Sequence, residues 1–154
     1  MRSTSVIIMA SNICDRLRTS VTTTNAEETR GLAAELALAL PGDCVLALHG
    51  DLGVGKTTLV QGLAAGLGIQ ETVTSPTFNV FSVYEGERHR LVHLDAYRLE
   101  HEHQLETLML EDFLISPWIA AVEWPDKIAG WIPADAWHLE LSIKAGERHH
   151  VRLR

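Results

Sequence analysis

An α/β fold on a mostly parallel central sheet is what the sequence predicts, and three observations carry the prediction. Cys44–His49 is a continuous apolar run, the pattern of a strand buried on both faces of a parallel sheet. A glycine-rich turn follows at once, and after it a helical stretch, 56–67, carries Leu59, Leu63 and Leu67 on one side before ending at Gly68. A second buried-strand candidate, 119–122, supplies the neighbour that a parallel sheet requires.

The elements follow in chain order. Residues 1–20 lack sustained periodicity and are expected to form a poorly ordered N-terminal extension, leaving 21–154 as one folded domain. After a short β-prone run at 21–24, Asn25 can cap a helix with Glu28 three residues on, the pattern of a capping box. Leu32, Leu36 and Leu40 then recur every four residues and give one apolar face, and Pro41-Gly42 stops the helix, which is expected over 26–40. The segment 72–93 is β-rich, with Tyr84-Glu85-Gly86-Glu87 as a hairpin turn between 78–83 and 89–94. A polar helical stretch is expected over 101–114, and 137–143 with 149–153 form a closing pair of strands, the antiparallel extension of the sheet.

Length and charge narrow the function classes. The 154 residues match a single domain able to bury a real core, and 46% hydrophobic against 21% charged residues is the balance of a folded chain rather than a disordered one. A net charge of −7 argues against a broad basic surface for wrapping nucleic acid, so any RNA would be held by a partner. Cys14 and Cys44 lie in different segments with no C-x-x-C spacing, which suggests neither a disulfide framework nor a zinc site and fits a reducing cytosol. The one N-terminal apolar run, 6–10, is shorter than a secretory signal or a membrane span requires, so a cytoplasmic protein without a membrane anchor is expected.

The chemistry is concentrated in Gly50-Asp51-Leu52-Gly53-Val54-Gly55-Lys56-Thr57, a full G-x-x-x-x-G-K-[ST] phosphate loop between strand and helix, the context that the motif needs. The fold class is therefore a single P-loop NTPase domain. Glycines let the backbone curl with its N–H groups inward, and the helix N-terminus adds partial positive charge there. Asp51, Leu52, Gly53, Val54, Gly55, Lys56, Thr57 and Thr58 are the nucleotide-binding candidates. Lys56 is expected to reach the β- and γ-phosphates of ATP, Thr57 to ligate Mg²⁺ through its hydroxyl, and Thr58 to donate to an inner phosphate.

Such a site also needs a carboxylate at the end of a neighbouring buried strand, to hold Mg²⁺ or to orient the attacking water. Two positions qualify. Leu91-Val92-His93-Leu94-Asp95 ends in Asp95, and Ile119-Ala120-Ala121-Val122-Glu123 ends in Glu123. Spacing does not rank them. The plainer alternative for either acid alone is that it caps a helix or faces solvent, but a phosphate loop requires a site carboxylate and no other acid follows so clear a strand.

Four segments together resemble the TsaE (YjeE) family, the ATPase of bacterial tRNA threonylcarbamoyladenosine synthesis. They are the phosphate loop continued through Thr58-Leu59, Thr74-Ser75-Pro76-Thr77-Phe78, His93-Leu94-Asp95-Ala96-Tyr97-Arg98-Leu99 and Val122-Glu123-Trp124-Pro125, and the similarity runs from about residue 21 to the end. The resemblance implies a Mg-dependent, intrinsically weak ATPase acting with TsaB- and TsaD-like proteins and meeting tRNA only through that complex. It places metal ligands on Thr57 and Glu123, a water-positioning or outer-shell role on Asp95, a switch-like role on Thr77 and a nucleotide-flanking role on Trp124. Ala96 departs from the leucine common in the family, away from the phosphate chemistry. Candidate adenine contacts are Thr24 and Gly146-Glu147-Arg148.

Other residues receive plainer readings. His101-x-His103 and His149-His150 lack a supporting Cys or carboxylate constellation, so solvated side chains are preferred to metal ligands. His93 shares a strand face with Asp95, and a structural and a catalytic histidine stay equally open. The acidic run 100–111 reads most simply as a solvated helix face, with a docking surface as the sharper alternative. Trp118, Trp131 and Trp137, with Phe78 and Phe81, read as packing. The main functional rival is a small-molecule P-loop kinase, but such enzymes close an arginine-bearing lid over the transferred group, and no arginine occurs between Arg98 and Arg148. A translocase would need a basic single-strand groove, and the sequence shows none.

Overall fold

A computed structural model describes residues 4–51, 53–76 and 79–154; Leu52, Thr77 and Phe78, all singled out above, lie outside the described residues. The order of elements is α1 (Thr4–Thr19), β1 (Val21–Thr23), α2 (Ala26–Ala39), β2 (Cys44–His49), α3 (Lys56–Gly66), β3 (Phe81–Glu85), β4 (Arg90–Asp95), α4 (Gln104–Thr107), β5 (Trp118–Glu123), β6 (Trp137–Lys144) and β7 (Arg148–Leu153). Short 3₁₀ turns at Ala96–Arg98, Leu110–Phe113, Pro125–Ile128 and Ala145–Glu147 join them.

The strands form one seven-stranded sheet in the order β1-β7-β6-β2-β5-β4-β3. Its centre, β6-β2-β5-β4, is parallel, and antiparallel strands flank it on both sides. Alternation along the strands divides the core. Leu46, Leu48, Leu91, Ile119 and Ala121 face one way, under Leu32 and Leu36 of α2 and Leu59 and Leu63 of α3. Val45, Val92, Leu94, Ala120 and Val122 face the other way, where Leu99, Leu105, Leu110 and Ile128 cover them and Trp118, Trp124 and Trp131 pack against the edge. The Cys44 thiol, at the start of β2, is pushed up to about 11 by burial and serves as packing.

Helix α2 begins as the sequence predicts: the Asn25 side chain accepts the Glu28 amide hydrogen at 2.8 Å, and the Glu28 carboxylate reaches back to the Thr24 amide at 3.0 Å. Its contact with α3 is unusually close. A Cβ on Gly62 would stand 2.3 Å from the Arg30 carbonyl oxygen, and one on Gly66 would stand 2.6 Å from that of Ala34. Backbone thus meets backbone, and Ala33 and Ala37 of α2 complete a seam of small residues.

Two expectations are corrected. The N-terminal segment expected to be poorly ordered forms α1 over Thr4–Thr19, with Ile13 and Leu17 fully buried against the core shared by α2 and β7. One i, i+4 pair is too short a stripe to read as periodicity, and such a helix draws its stability from tertiary packing rather than from propensity. The single helix expected over 101–114 is instead α4 followed by the Leu110–Phe113 turn, broken at Met109, which has φ 55°. The buried anchors Leu105 and Leu110 explain the break. Five residues apart, they would point about 140° away from each other on one straight helix.

Smaller shifts occur in the hairpin, whose turn falls at 86–89 with the Gly86 amide donating to the His89 carbonyl at 3.1 Å, two residues later than expected.

Because α3 packs on α2 without room for a side chain, Gly62→Ala is expected to lower the unfolding free energy by about 1–3 kcal/mol, even though alanine favours a helix over glycine by ~1 kcal/mol. Urea denaturation measures it; an unchanged or raised stability would show that the two helices separate at no cost.

Candidate functional site

The carboxyl ends of the parallel strands, the usual place for a ligand in such a sheet, bring the sequence candidates together. Register does the work: Leu48 of β2 pairs with Glu123 of β5, and Glu123 pairs with Asp95 of β4. Both acids therefore stand at one level on one face, beside the loop that leaves β2 after His49. A cleft of about 380 Å³ is lined there by Gly53, Gly55, Lys56, Thr57, Thr58, Ser75, Asp95, Tyr97, Glu123 and Trp124.

The loop itself requires glycine. Gly50 has φ 151°, and a Cβ there would lie 2.6 Å from the Leu141 carbonyl oxygen of β6. Gly55 caps α3 at φ 93°. Val54 buries its side chain in the core beneath the loop, and Asp51 is exposed; neither lines the cleft.

Lys56 is buried. Its ammonium donates to the Gly50 carbonyl at 2.7 Å and sits 3.8 Å from the centroid of the Trp124 ring, a cation–π contact. Burial holds its pKa below the usual lysine value, against the opposing pull of Glu123, Asp95 and Asp51. Thr57 shares a hydrogen bond of 2.8 Å with the hydroxyl of Ser75, so the segment before Pro76 reaches the first turn of α3.

The two acids have different surroundings. Glu123 is nearly buried and accepts a 2.8 Å hydrogen bond from Nε2 of His93, itself fully buried. His93 pairs with Ala121, which makes Glu123 its diagonal neighbour on the same sheet face. The Glu123 carboxylate accepts, so the hydrogen facing it lies on Nε2 of His93, and Nδ1 of His93 has no hydrogen-bond partner among the described residues. Asp95 caps the Ala96–Arg98 turn by accepting the Tyr97 amide hydrogen at 3.1 Å, with the Arg98 guanidinium at 3.8 Å. Its pKa is raised, first by burial and then by the charge of Glu123, against the Tyr97 amide, Arg98 and His93.

Trp124 follows Glu123 directly and turns the chain at φ 57°, unusual for a bulky residue. Its ring lies 5.2 Å from that of Tyr97, and Lys127 pins the turn below by donating to the carbonyls of Tyr97 at 2.8 Å and Leu99 at 3.0 Å.

Ser75 and Tyr97 had no individual role in the sequence reading, but they lie inside segments whose motif character is visible, so a signal existed. His93, left open between a structural and a catalytic role, is the buried partner of Glu123. His149 gave no such signal. Expected to be solvated, it is half-buried and places Nδ1 3.0 Å from the Val54 carbonyl oxygen. Neither Thr24, whose hydroxyl donates to Glu28 at 2.8 Å, nor the 146–148 segment in the β6–β7 turn is among the residues lining the cleft.

Comparison with known proteins shows the family. Residues 23–151 match the family model described as "Threonylcarbamoyl adenosine biosynthesis protein TsaE". The chain is 42% identical over 123 residues to the tRNA threonylcarbamoyladenosine biosynthesis protein TsaE of Bacillus subtilis, covering 79% of this chain and 75% of the relative. It is 34% identical to the protein of the same description from Treponema pallidum, over 82% of this chain and 93% of the relative. Among solved structures, the crystal structure of Bacillus subtilis YdiB superposes with a TM-score of 0.69 at 28% identity, over 87% of this chain and 82% of that one.

The raised pKa of Asp95 sets a stability prediction. The folded state binds this proton more tightly than the unfolded chain, so the stabilisation is present below the ordinary carboxylate range and is lost as pH rises through the raised folded value. At neutral pH the ionised, desolvated carboxylate opposes folding. Asp95→Asn keeps an acceptor for the Tyr97 amide without the charge and is expected to melt above the wild type at pH 7, with the difference shrinking as pH falls through the carboxylate range. Melting curves across pH decide it; an asparagine variant that melts lower at pH 7 contradicts the assigned strain.

Proposed function

The chain belongs to the TsaE family, and on that footing we propose that it serves tRNA threonylcarbamoyladenosine biosynthesis as a Mg²⁺-dependent ATPase of low intrinsic turnover, acting in the cytoplasm with TsaB- and TsaD-like proteins that hold the tRNA. The observation that supports it most is the convergence of Lys56, Thr57, Asp95 and Glu123, from two strand ends and one helix start, on a single cleft.

The donor set fits the cation. The Thr57 hydroxyl and the Glu123 carboxylate are hard oxygen donors, suited to an ion that keeps several waters and is shared with nucleotide phosphates. When bound, Mg²⁺ would draw off the charge that develops on the β- and γ-oxygens. The remaining work falls to the chain. Backbone N–H groups of the loop hold phosphate oxygens, and Lys56 supplies a compact counter-charge made stronger by its buried setting. Asp95, at the mouth of its strand, accepts a hydrogen bond from the attacking water and aligns it, and Trp124 flanks the nucleotide.

A weak ATPase gains purpose as a switch, which requires different contacts before and after hydrolysis. Ser75, the first residue of the Ser-Pro-Thr motif, hydrogen-bonds Thr57. Thr77, two residues on, is our proposed sensor of the γ-phosphate, and the partners read the resulting change.

Calorimetric titration tests the reading. Lys56→Ala is expected to weaken Mg-ATP binding by about ten- to a hundred-fold, the loss of one charge-assisted contact, with an unchanged melting temperature. Unaltered affinity in the folded variant would remove the basis of the proposal. Glu123→Ala is expected to lose the magnesium dependence of binding, and Asp95→Ala to retain binding and slow phosphate release; the reverse pattern exchanges the two roles. Full threonylcarbamoyladenosine formation by reconstituted partners without this chain would defeat the pathway assignment.

A further inference from the structure

We infer that His149 is a positioning residue of the phosphate loop, fixing the Val54–Gly55 peptide so that its N–H faces the bound phosphates; this rests on the nucleotide-binding reading above. The inference begins with topology. Strand β6 runs parallel to β2, so it ends on the side of the sheet where the loop emerges, and β7 starts there after a short turn. His149 is the second residue of β7. Its backbone is held between Ile143 of β6 and Thr23 of β1, so the ring starts from a fixed point.

From that point Nδ1 reaches the Val54 carbonyl oxygen at 3.0 Å. A carbonyl only accepts, so the hydrogen is on Nδ1. In a planar trans peptide the C=O of one residue and the N–H of the next point in opposite directions. Holding the Val54 oxygen outward, against β7, therefore turns the Gly55 N–H inward.

That peptide needs holding. Gly55 has φ 93°, in a region where glycine moves with little steric resistance, and its free rotation would let the peptide turn over. A reversed peptide would present a carbonyl oxygen to the phosphates in place of a donor. The histidine also sits against the glycine: a Cβ on Gly55 would lie 3.5 Å from Nδ1. The same side chain thus sets the direction of the peptide and closes the space behind it.

The test compares wild type, His149→Leu and His149→Asn, whose Nδ2 occupies the branch point of the imidazole Nδ1. ADP affinity is read by calorimetry, and exchange of the Gly55 amide is read by NMR without nucleotide. The leucine variant is expected to bind ADP about three- to ten-fold more weakly, the range for one neutral hydrogen bond, with faster Gly55 amide exchange and an unshifted melting temperature. The asparagine variant is expected to recover both properties. Wild-type affinity in the leucine variant overturns the inference, and so does an asparagine variant as impaired as the leucine one. A wild type that binds no ADP would instead sink the nucleotide reading, and the Gly55 exchange rates would still decide whether His149 anchors the loop.

Discussion

Everything at the site depends on the in-register ladder of β2, β5 and β4. Leu48, Glu123 and Asp95 form one row across three strands, and the phosphate loop leaves the first of them. Side chains alternate along a strand, so a one-residue slip of β5 would send Glu123 to the opposite face and bring Val122 to the site. The apolar runs prevent that. Ile119 and Ala121 pack toward α2 and α3, and Ala120 and Val122 pack toward Leu99 and Ile128, so the packing that holds the fold also fixes the carboxylate.

The ladder gathers charge where charge is unfavourable. Lys56 and Glu123 are buried, Asp95 is partly so, and the two acids oppose each other. Each is compensated locally: Lys56 by the Gly50 carbonyl and the face of Trp124, Glu123 by His93, Asp95 by the Tyr97 amide. Trp124 accepts a left-handed backbone to stand over Lys56, the kind of strain that persists only where surrounding structure over-determines it. Lys127 provides that constraint by tying the Pro125–Ile128 turn to the Tyr97 and Leu99 carbonyls.

What the sequence made legible was local. Cys44–His49 and Ala26–Ala39 are readable from apolar pattern and caps, because each is decided by its own residues. Asp95 and Glu123 are readable as strand-end acids, yet their different surroundings come from a diagonal neighbour on another strand, which no spacing rule contains. The misread parts share that cause. Helix α1 is ordered by a core it contributes little to define, 101–114 bends so that Leu105 and Leu110 can both be buried, and His149 reaches a loop far from it in sequence.

The seam between α2 and α3 has a mechanical consequence. Lys56 and Thr57 stand on the first turn of α3, and Gly62 and Gly66 on its later turns press against the backbone of α2 with no side chain between to act as a cushion. Two helices so joined form one packed block, anchored on the sheet by Leu36, Leu59 and Leu63. Under the proposed nucleotide switch, displacement would fall to the other wall of the cleft, where Ser75, the Ala96–Arg98 turn and Trp124 are carried on short segments. The molecule resembles a vice with one fixed jaw, and under that proposal a partner would have only the other jaw to feel.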